Sequence, residues 1–316
     1  MRATYALWIA TSALLTLDVA AVAAASVGLA VAGESDDERQ WQLGSAVLGA
    51  NVGSLLFPFS NLTNLLLVAS AGLTLTTFVT YSVLPQAGAA VAVGTLLAIR
   101  AQRAIGERPL ASQPAVAPTA HRTRGAAIAG GVAFAGALAA IGAGVIGADM
   151  AIPFAICSGL LVGAAIVGRR MSGSLVMRSI PVVGVAVVVA AALAGPLIAQ
   201  LAADLPEPGA DPGGILLAFA VGALLAAIIN NLPAAALGTV WLAASPAPAI
   251  LAFLIGTNIF VVATPHGSVA TMLAHGVGRR HGVEVEVSSY LRSAWRYGLV
   301  GSMAGLAALM VVVLIR

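Results

Sequence analysis

The sequence predicts an all-α polytopic membrane protein made of inverted repeats, each with a re-entrant hairpin and a broken transmembrane helix. Three observations carry that prediction. Hydrophobic residues make up 60% of the chain and charged residues 9%, where a soluble domain carries about 25% charged residues. Two long apolar stretches hold a proline amid Ser, Thr or Asn at their centres. Two further apolar runs are each interrupted near the middle by a short polar cluster.

The first half spans residues 1–105. Residues 3–32 are apolar around Thr16-Leu17-Asp18, and their length exceeds the ~20 residues of a single span. A carboxylate at mid-bilayer costs at least ~2.5 kcal/mol. Either one tilted span with a buried acid or two half-length arms meeting in a re-entrant hairpin accommodates this, and the cost argues for an Asp18 that faces the bundle. Residues 33–41 (GESDDERQW) read as a charged loop, 43–82 as the broken span and 84–103 as an intact one. Inside the broken span, Pro58 has no N–H, and its ring clashes with the carbonyl four residues back. Ser60, Asn61, Thr63 and Asn64 offer side chains to the freed backbone groups. Unwound backbone at membrane depth persists only where protein buries it or where it lines a wet cavity. Residues 106–124, basic and rich in Pro and Ala, read as a cytoplasmic linker.

The second half, residues 125–316, opens with spans over 125–202 and a Pro-rich acidic loop at 203–214. Residues 215–245 form the second hairpin, which turns at Asn230, Asn231 and Pro233. Residues 247–278 form the second broken span around Pro265, and 297–315 the last span. Residues 256–273 (GTNIFVVATPHGSVATML) lie on residues 49–66 (GANVGSLLFPFSNLTNLL) at a constant offset of 207. Gly49 then meets Gly256, Asn51 meets Asn258, Pro58 meets Pro265, Asn61 meets Ser268 and Asn64 meets Thr271. A broken helix present in two copies is the pattern of a repeat-built secondary transporter.

All fifteen basic residues are arginine, and arginine-rich short loops stay in the cytoplasm. That places 100–124, 169–178 and 279–296 inside and the acidic loop outside, so the two hairpins open to opposite faces. The net charge of +3 therefore reports topology and implies no nucleic-acid partner.

Taken in order, these motifs resemble the ArsB/NhaD branch of the ion transporter superfamily, with its citrate-transporter-like domain. That branch contains arsenical pump membrane proteins and sodium/proton antiporters. Leu17-Asp18 stands for its Asn-Asp hairpin and residues 58–64 for Pro-x-x-Asn-x-Thr-Asn. Residues 230–234 read Asn-Asn-Leu-Pro-Ala, and 264–271 read Thr-Pro-x-Gly-Ser-x-Ala-Thr. Two departures stand out. Leu17 replaces the family's Asn, and the family carries further spans ahead of the first hairpin, which this chain is expected to lack. The resemblance implies proton-coupled efflux of arsenite or antimonite across the cytoplasmic membrane. Sodium/proton antiport and permeation of organic or inorganic anions are the alternatives within the superfamily. A transport-inactive paralogue acting as a membrane partner subunit is the alternative of another class. A soluble ATPase subunit or a second copy of the chain stays open as partner.

The solute site is expected where both hairpin tips meet both broken spans. Asn51, Asn61, Asn64, Asn230, Asn231 and Asn258 supply amides, and Ser60, Thr63, Ser268 and Thr271 supply hydroxyls. The resemblance adds Thr264 and Gly267. Asp18 is the candidate proton or cation carrier, with His266 as the alternative because histidine changes charge near neutral pH. Amides and hydroxyls with one acid suit a neutral trihydroxy species such as arsenious acid. A dicarboxylate would be met more naturally by arginine, and none lies inside a predicted span. His275 reads as interfacial and Cys157, the one cysteine, as a small hydrophobe. A single cysteine forms neither an internal disulfide nor a cysteine metal cluster. No His-Glu-x-x-His, paired intramembrane aspartates or triad spacing occurs, so neither an enzyme, a metal site nor a cofactor is expected.

Overall fold

The computed structural model describes residues 2–33, 35–106 and 202–316, with isolated positions between. The expected linker and the spans over 125–202, with Cys157, lie outside the described residues save those positions. Contacts group the chain into two units, one of Met1–Leu73, Thr77–Pro118 and Glu207–Arg316, the other of Thr74–Thr76 with Thr119–Pro206. The first unit is described below.

The described elements are all helical. They run α1 Arg2–Leu14, α2 Leu17–Val31, α3 Asp36–Gly53, a 3-10 turn Pro58–Ser60, α4 Leu62–Ala71 and α5 Leu75–Gly106. Then come α6 Pro212–Ile229, α7 Asn231–Trp241, α8 Ala247–Asn258, a 3-10 turn Phe260–Ala263, α9 Val269–Arg280 and α10 Val287–Ile315. One series therefore occurs twice: a helix pair, a helix, a 3-10 turn, a short helix and a long one. Leu75–Gln102, Pro212–Ile229 and Val287–Ile315 are long and apolar enough to cross a membrane.

Both expected hairpins are helix pairs with a local break. Thr16 is extended (φ −70, ψ 146) ahead of α2. Between α6 and α7, Asn230 takes φ 98, the one positive φ outside glycine among the described residues. Its Oδ1 accepts the Leu232 N–H at 3.1 Å and so caps α7. Pro233 lies within the first turn of α7, where a missing N–H costs nothing. Asn230 therefore makes this turn, and Pro233 merely tolerates the helix start.

Three boundaries differ from the sequence reading. The charged stretch 33–41 is helical from Asp36, because Asp36, Asp37 and Glu38 occupy the first turn of α3, where acids meet the positive end of the helix dipole. The broken span ends at Ala71 rather than at 82. Gly72 (φ 62) caps α4 in the left-handed conformation, and α5 starts at Leu75 and runs through Pro85. The last helix begins at Val287 rather than 297.

Packing follows the same order twice. The helix before each break lies on the helix pair that precedes it, α3 on α1 and α2, α8 on α6 and α7. Gly49 and Gly256, matched by the sequence offset, make these crossings possible. A Cβ on Gly49 would stand 2.6 Å from the Trp8 Cβ, and one on Gly256 would stand 2.5 Å from the Ala223 N. Without side chains there, backbones approach closely. The short helix after each break crosses over to the opposite half: α4 packs on α7 and α8, and α9 packs on α2 and α3. Leu17, Ala21, Ala24, Ala46, Ala270 and Ala274 share one buried cluster at the latter crossing.

Candidate functional site

The first break is stabilised from within. Between Gly53 and Leu62 the helical ladder stops, and side chains take its place. Asn64 Nδ2 donates to the Ser54 and Phe57 carbonyls at 2.7 and 3.0 Å. Ser60 Oγ lies 2.7 and 2.6 Å from the same two carbonyls, between which its one proton is shared. Ser54 Oγ–H bonds the Asn51 carbonyl at 2.8 Å. From α5, Ser82 Oγ–H holds the Leu56 carbonyl at 2.9 Å. Asn61 then caps α4 by accepting the Thr63 N–H at 3.2 Å.

The second break uses the same devices. Ser268 caps α9, accepting the Thr271 N–H at 3.1 Å. Thr264 Oγ–H bonds the Ala227 carbonyl of α6 at 3.2 Å. Tyr290 of α10 donates its hydroxyl to the Val262 carbonyl at 2.8 Å. In each half, the long helix after the break thus lends a hydroxyl to a carbonyl that the break leaves loose. The turn between α6 and α7 closes on this break as well. Asn230 Nδ2 donates to the His266 carbonyl at 2.7 Å, and the Asn231 N–H to the Gly267 carbonyl at 2.7 Å.

The two breaks also bind one another. Asn258, at the end of α8, donates through Nδ2 to Asn64 Oδ1 at 2.7 Å. Its Oδ1 accepts from Asn61 Nδ2 at 3.0 Å and from Thr63 Oγ at 2.8 Å. At the matching place in the first half, Asn51 Nδ2 reaches Thr271 Oγ1 at 3.4 Å, and Thr271 and Ser268 share a hydroxyl contact at 2.9 Å. Each terminal asparagine thus addresses the capped start of the short helix from the opposite half. All of Asn51, Asn61, Thr63, Asn64, Asn258, Ser268 and Thr271 are buried.

Most polar atoms here are spent on each other, and two are not. Asn51 Oδ1 and Asn231 Oδ1 are buried without a hydrogen-bond partner, on residues 0% and 2% exposed. An orphaned buried acceptor costs about 1–3 kcal/mol. Both belong to residues that contact one segment through other atoms: Asn51 through its Nδ2 to Thr271 and Asn231 through its backbone N–H to the Gly267 carbonyl. That segment leads into α9, whose N-terminal N–H groups carry a partial positive charge. Two acceptors on residues of this network are thus left without a protein donor.

Of the other sequence-picked residues, Asp18 sits in the first turn of α2, with no hydrogen bond or ion pair among the described residues. Its neighbour Leu17 is 3% exposed and packs in the apolar cluster with Ala270. His266 is exposed on the turn around Pro265. Pro58 starts the first 3-10 turn. Sequence reasoning missed Ser54, Ser82 and Tyr290. Ser54 and Ser82 are ordinary small residues in apolar runs, and nothing local marks any of the three as holding a break. Among the described residues no His/Cys/Asp/Glu cluster could hold a metal ion.

No known family's sequence profile matches this chain, and no curated protein matches it.

Proposed function

We propose that this chain is a multi-pass secondary carrier of the cytoplasmic membrane, of the ArsB/NhaD type, that exports arsenite or antimonite in exchange for protons. The supporting observation is two buried amide oxygens without a partner, Asn51 Oδ1 and Asn231 Oδ1, on residues that contact the segment 267–271 where the second break passes into α9. Other buried polar atoms, Gln42 Oε1 and Gln86 Oε1 among them, are unpaired as well, and what distinguishes these two is that their residues belong to the network of the breaks. Arsenious acid, neutral with three hydroxyl groups, would donate to acceptors of this kind. The repeated element order and the crossed packing of α4 and α9 support two inverted halves, with the solute between the breaks. Asp18, an acid in an apolar helix with no hydrogen bond or ion pair among the described residues, is the candidate to exchange the proton, with His266 as the alternative.

Sodium/proton antiport is the second reading, because bare amide oxygens and a carboxylate are also ligands for a hard cation. Expression in a cell lacking its own arsenite exporters separates the two. Intracellular arsenite is followed over time beside sodium tolerance, for wild type and for Asp18→Asn. Asp18-dependent lowering of arsenite supports the first reading. Asp18-dependent sodium tolerance with unchanged arsenite supports the second.

A further inference from the structure

Next to the break network lies a cavity of about 220 Å³. Its walls are the first half of α3, the end of α5, α9, and the start of α10 with the segment before it. It ends close to the network, since His275 lies one turn beyond Thr271 on α9, and Leu48 three residues before Asn51 on α3. His275 is 8% exposed and stands edge-on to the Tyr290 ring at 5.1 Å. Among the described residues its ring nitrogens have no hydrogen-bond partner, although both can act.

The neighbouring groups have acceptor capacity to spare. Tyr290 uses its proton on the Val262 carbonyl at 2.8 Å and Ser45 uses its own on the Gln42 carbonyl at 2.9 Å, so both oxygens keep lone pairs. The charges stay at the rim, where Arg100, Glu284 and Glu286 are exposed. Two guanidiniums, Arg100 and the exposed Arg279 that acts on His275 through space, against two carboxylates give no net positive field to concentrate an anion, and among the lining residues no carboxylate lies deeper in to hold a cation.

We propose that this cavity is a binding vestibule for a small uncharged solute rich in hydroxyl groups, engaged by the imidazole of His275. That it leads to the break network rests on the carrier reading; that it binds such a solute does not. The His275–Tyr290–Val262 chain of contacts would couple its occupancy to the second break.

The test uses reconstituted full-length protein with Cys157→Ser, carrying Gly44→Cys in the cavity wall, where a Cβ meets nothing within 4 Å, or Ser289→Cys at its rim. The rate of alkylation by a water-soluble maleimide is measured alone, with boric acid as a neutral trihydroxy probe, and with sulfate as an anionic one. Both cysteines should react, and boric acid should slow Gly44→Cys several-fold while sulfate does not. His275→Phe keeps the ring against Tyr290 and should abolish that protection without stopping the alkylation. An unreactive Gly44→Cys overturns the vestibule. Protection by sulfate, no protection at all, or protection that survives His275→Phe overturns the assigned ligand or its contact. None of these readouts needs transport, so a chain that moves no arsenite still tests the cavity.

Discussion

Asn258 and Asn64, 194 positions apart, meet through a 2.7 Å side-chain hydrogen bond, which joins the end of α8 to the first turn of α4. Asn258 Oδ1 is filled by Asn61 and Thr63 at the same time. Asn258→Ala therefore strands three buried polar groups, each worth about 1–3 kcal/mol when unpaired. We expect a loss of at least about 2 kcal/mol, read as a lower midpoint of thermal unfolding in detergent.

Asn51 occupies the matching position and should behave in the opposite way. Its Oδ1 is unpaired, and its Nδ2 donates to the Val47 carbonyl of its own helix and, at 3.4 Å, to Thr271. Leucine removes the orphaned acceptor, whose burial is costly, together with one long bond to Thr271 and one to a carbonyl of its own helix, so gain and loss largely offset. Asn51→Leu should leave the unfolding midpoint within a few degrees of wild type while abolishing solute-dependent transport. Equal losses of stability in Asn51→Leu and Asn258→Ala would remove the distinction between a solute contact and a structural clasp.

The glycines give a prediction with opposite signs. Gly256→Ala places a Cβ 2.5 Å from the Ala223 backbone N and 2.7 Å from the Phe219 carbonyl, forcing α6 and α8 apart at a cost of about 1–3 kcal/mol. Gly44→Ala, in the helical interior of α3 with nothing within 4 Å, should instead gain roughly 0.5–1 kcal/mol. Paired unfolding curves check both.

Asn230 combines a strained backbone with two useful hydrogen bonds. Asn230→Ala retains the φ of 98, costly for any residue with a Cβ, and loses the α7 cap and the bond to the His266 carbonyl. Asn230→Gly loses the same bonds but relieves the strain. Alanine should therefore be the more destabilising of the two. The reverse order of unfolding midpoints would show that the strain is not what matters at this turn.

The helix breaks are legible in the sequence because their causes are local. Pro58 and Pro265 sit amid Ser, Thr or Asn in apolar runs, and those side chains compete for backbone groups wherever they stand. The match of Gly49 to Gly256 is legible as spacing, and the two crossings give it a steric reason. Which polar group meets which is not legible. The Asn258 clasp joins residues 194 to 197 positions apart, and only crossed packing brings them together. The opening acids of α3 read as a loop when charge is weighed for topology rather than against the helix dipole. The span after the first break reads as starting too late, since Gly72 is an inconspicuous stop and Pro85 a conspicuous non-stop.

Solute-driven proton movement tests the proton-coupled carrier most directly. Wild type and Asp18→Asn are reconstituted into vesicles enclosing a pH-sensitive dye, and arsenite is added outside with no pre-set gradient. Proton-coupled exchange predicts an immediate change of internal pH in wild type, absent in Asp18→Asn although that variant inserts and folds equally well. Arsenite uptake with no pH change, or an undiminished pH change in Asp18→Asn, would contradict it.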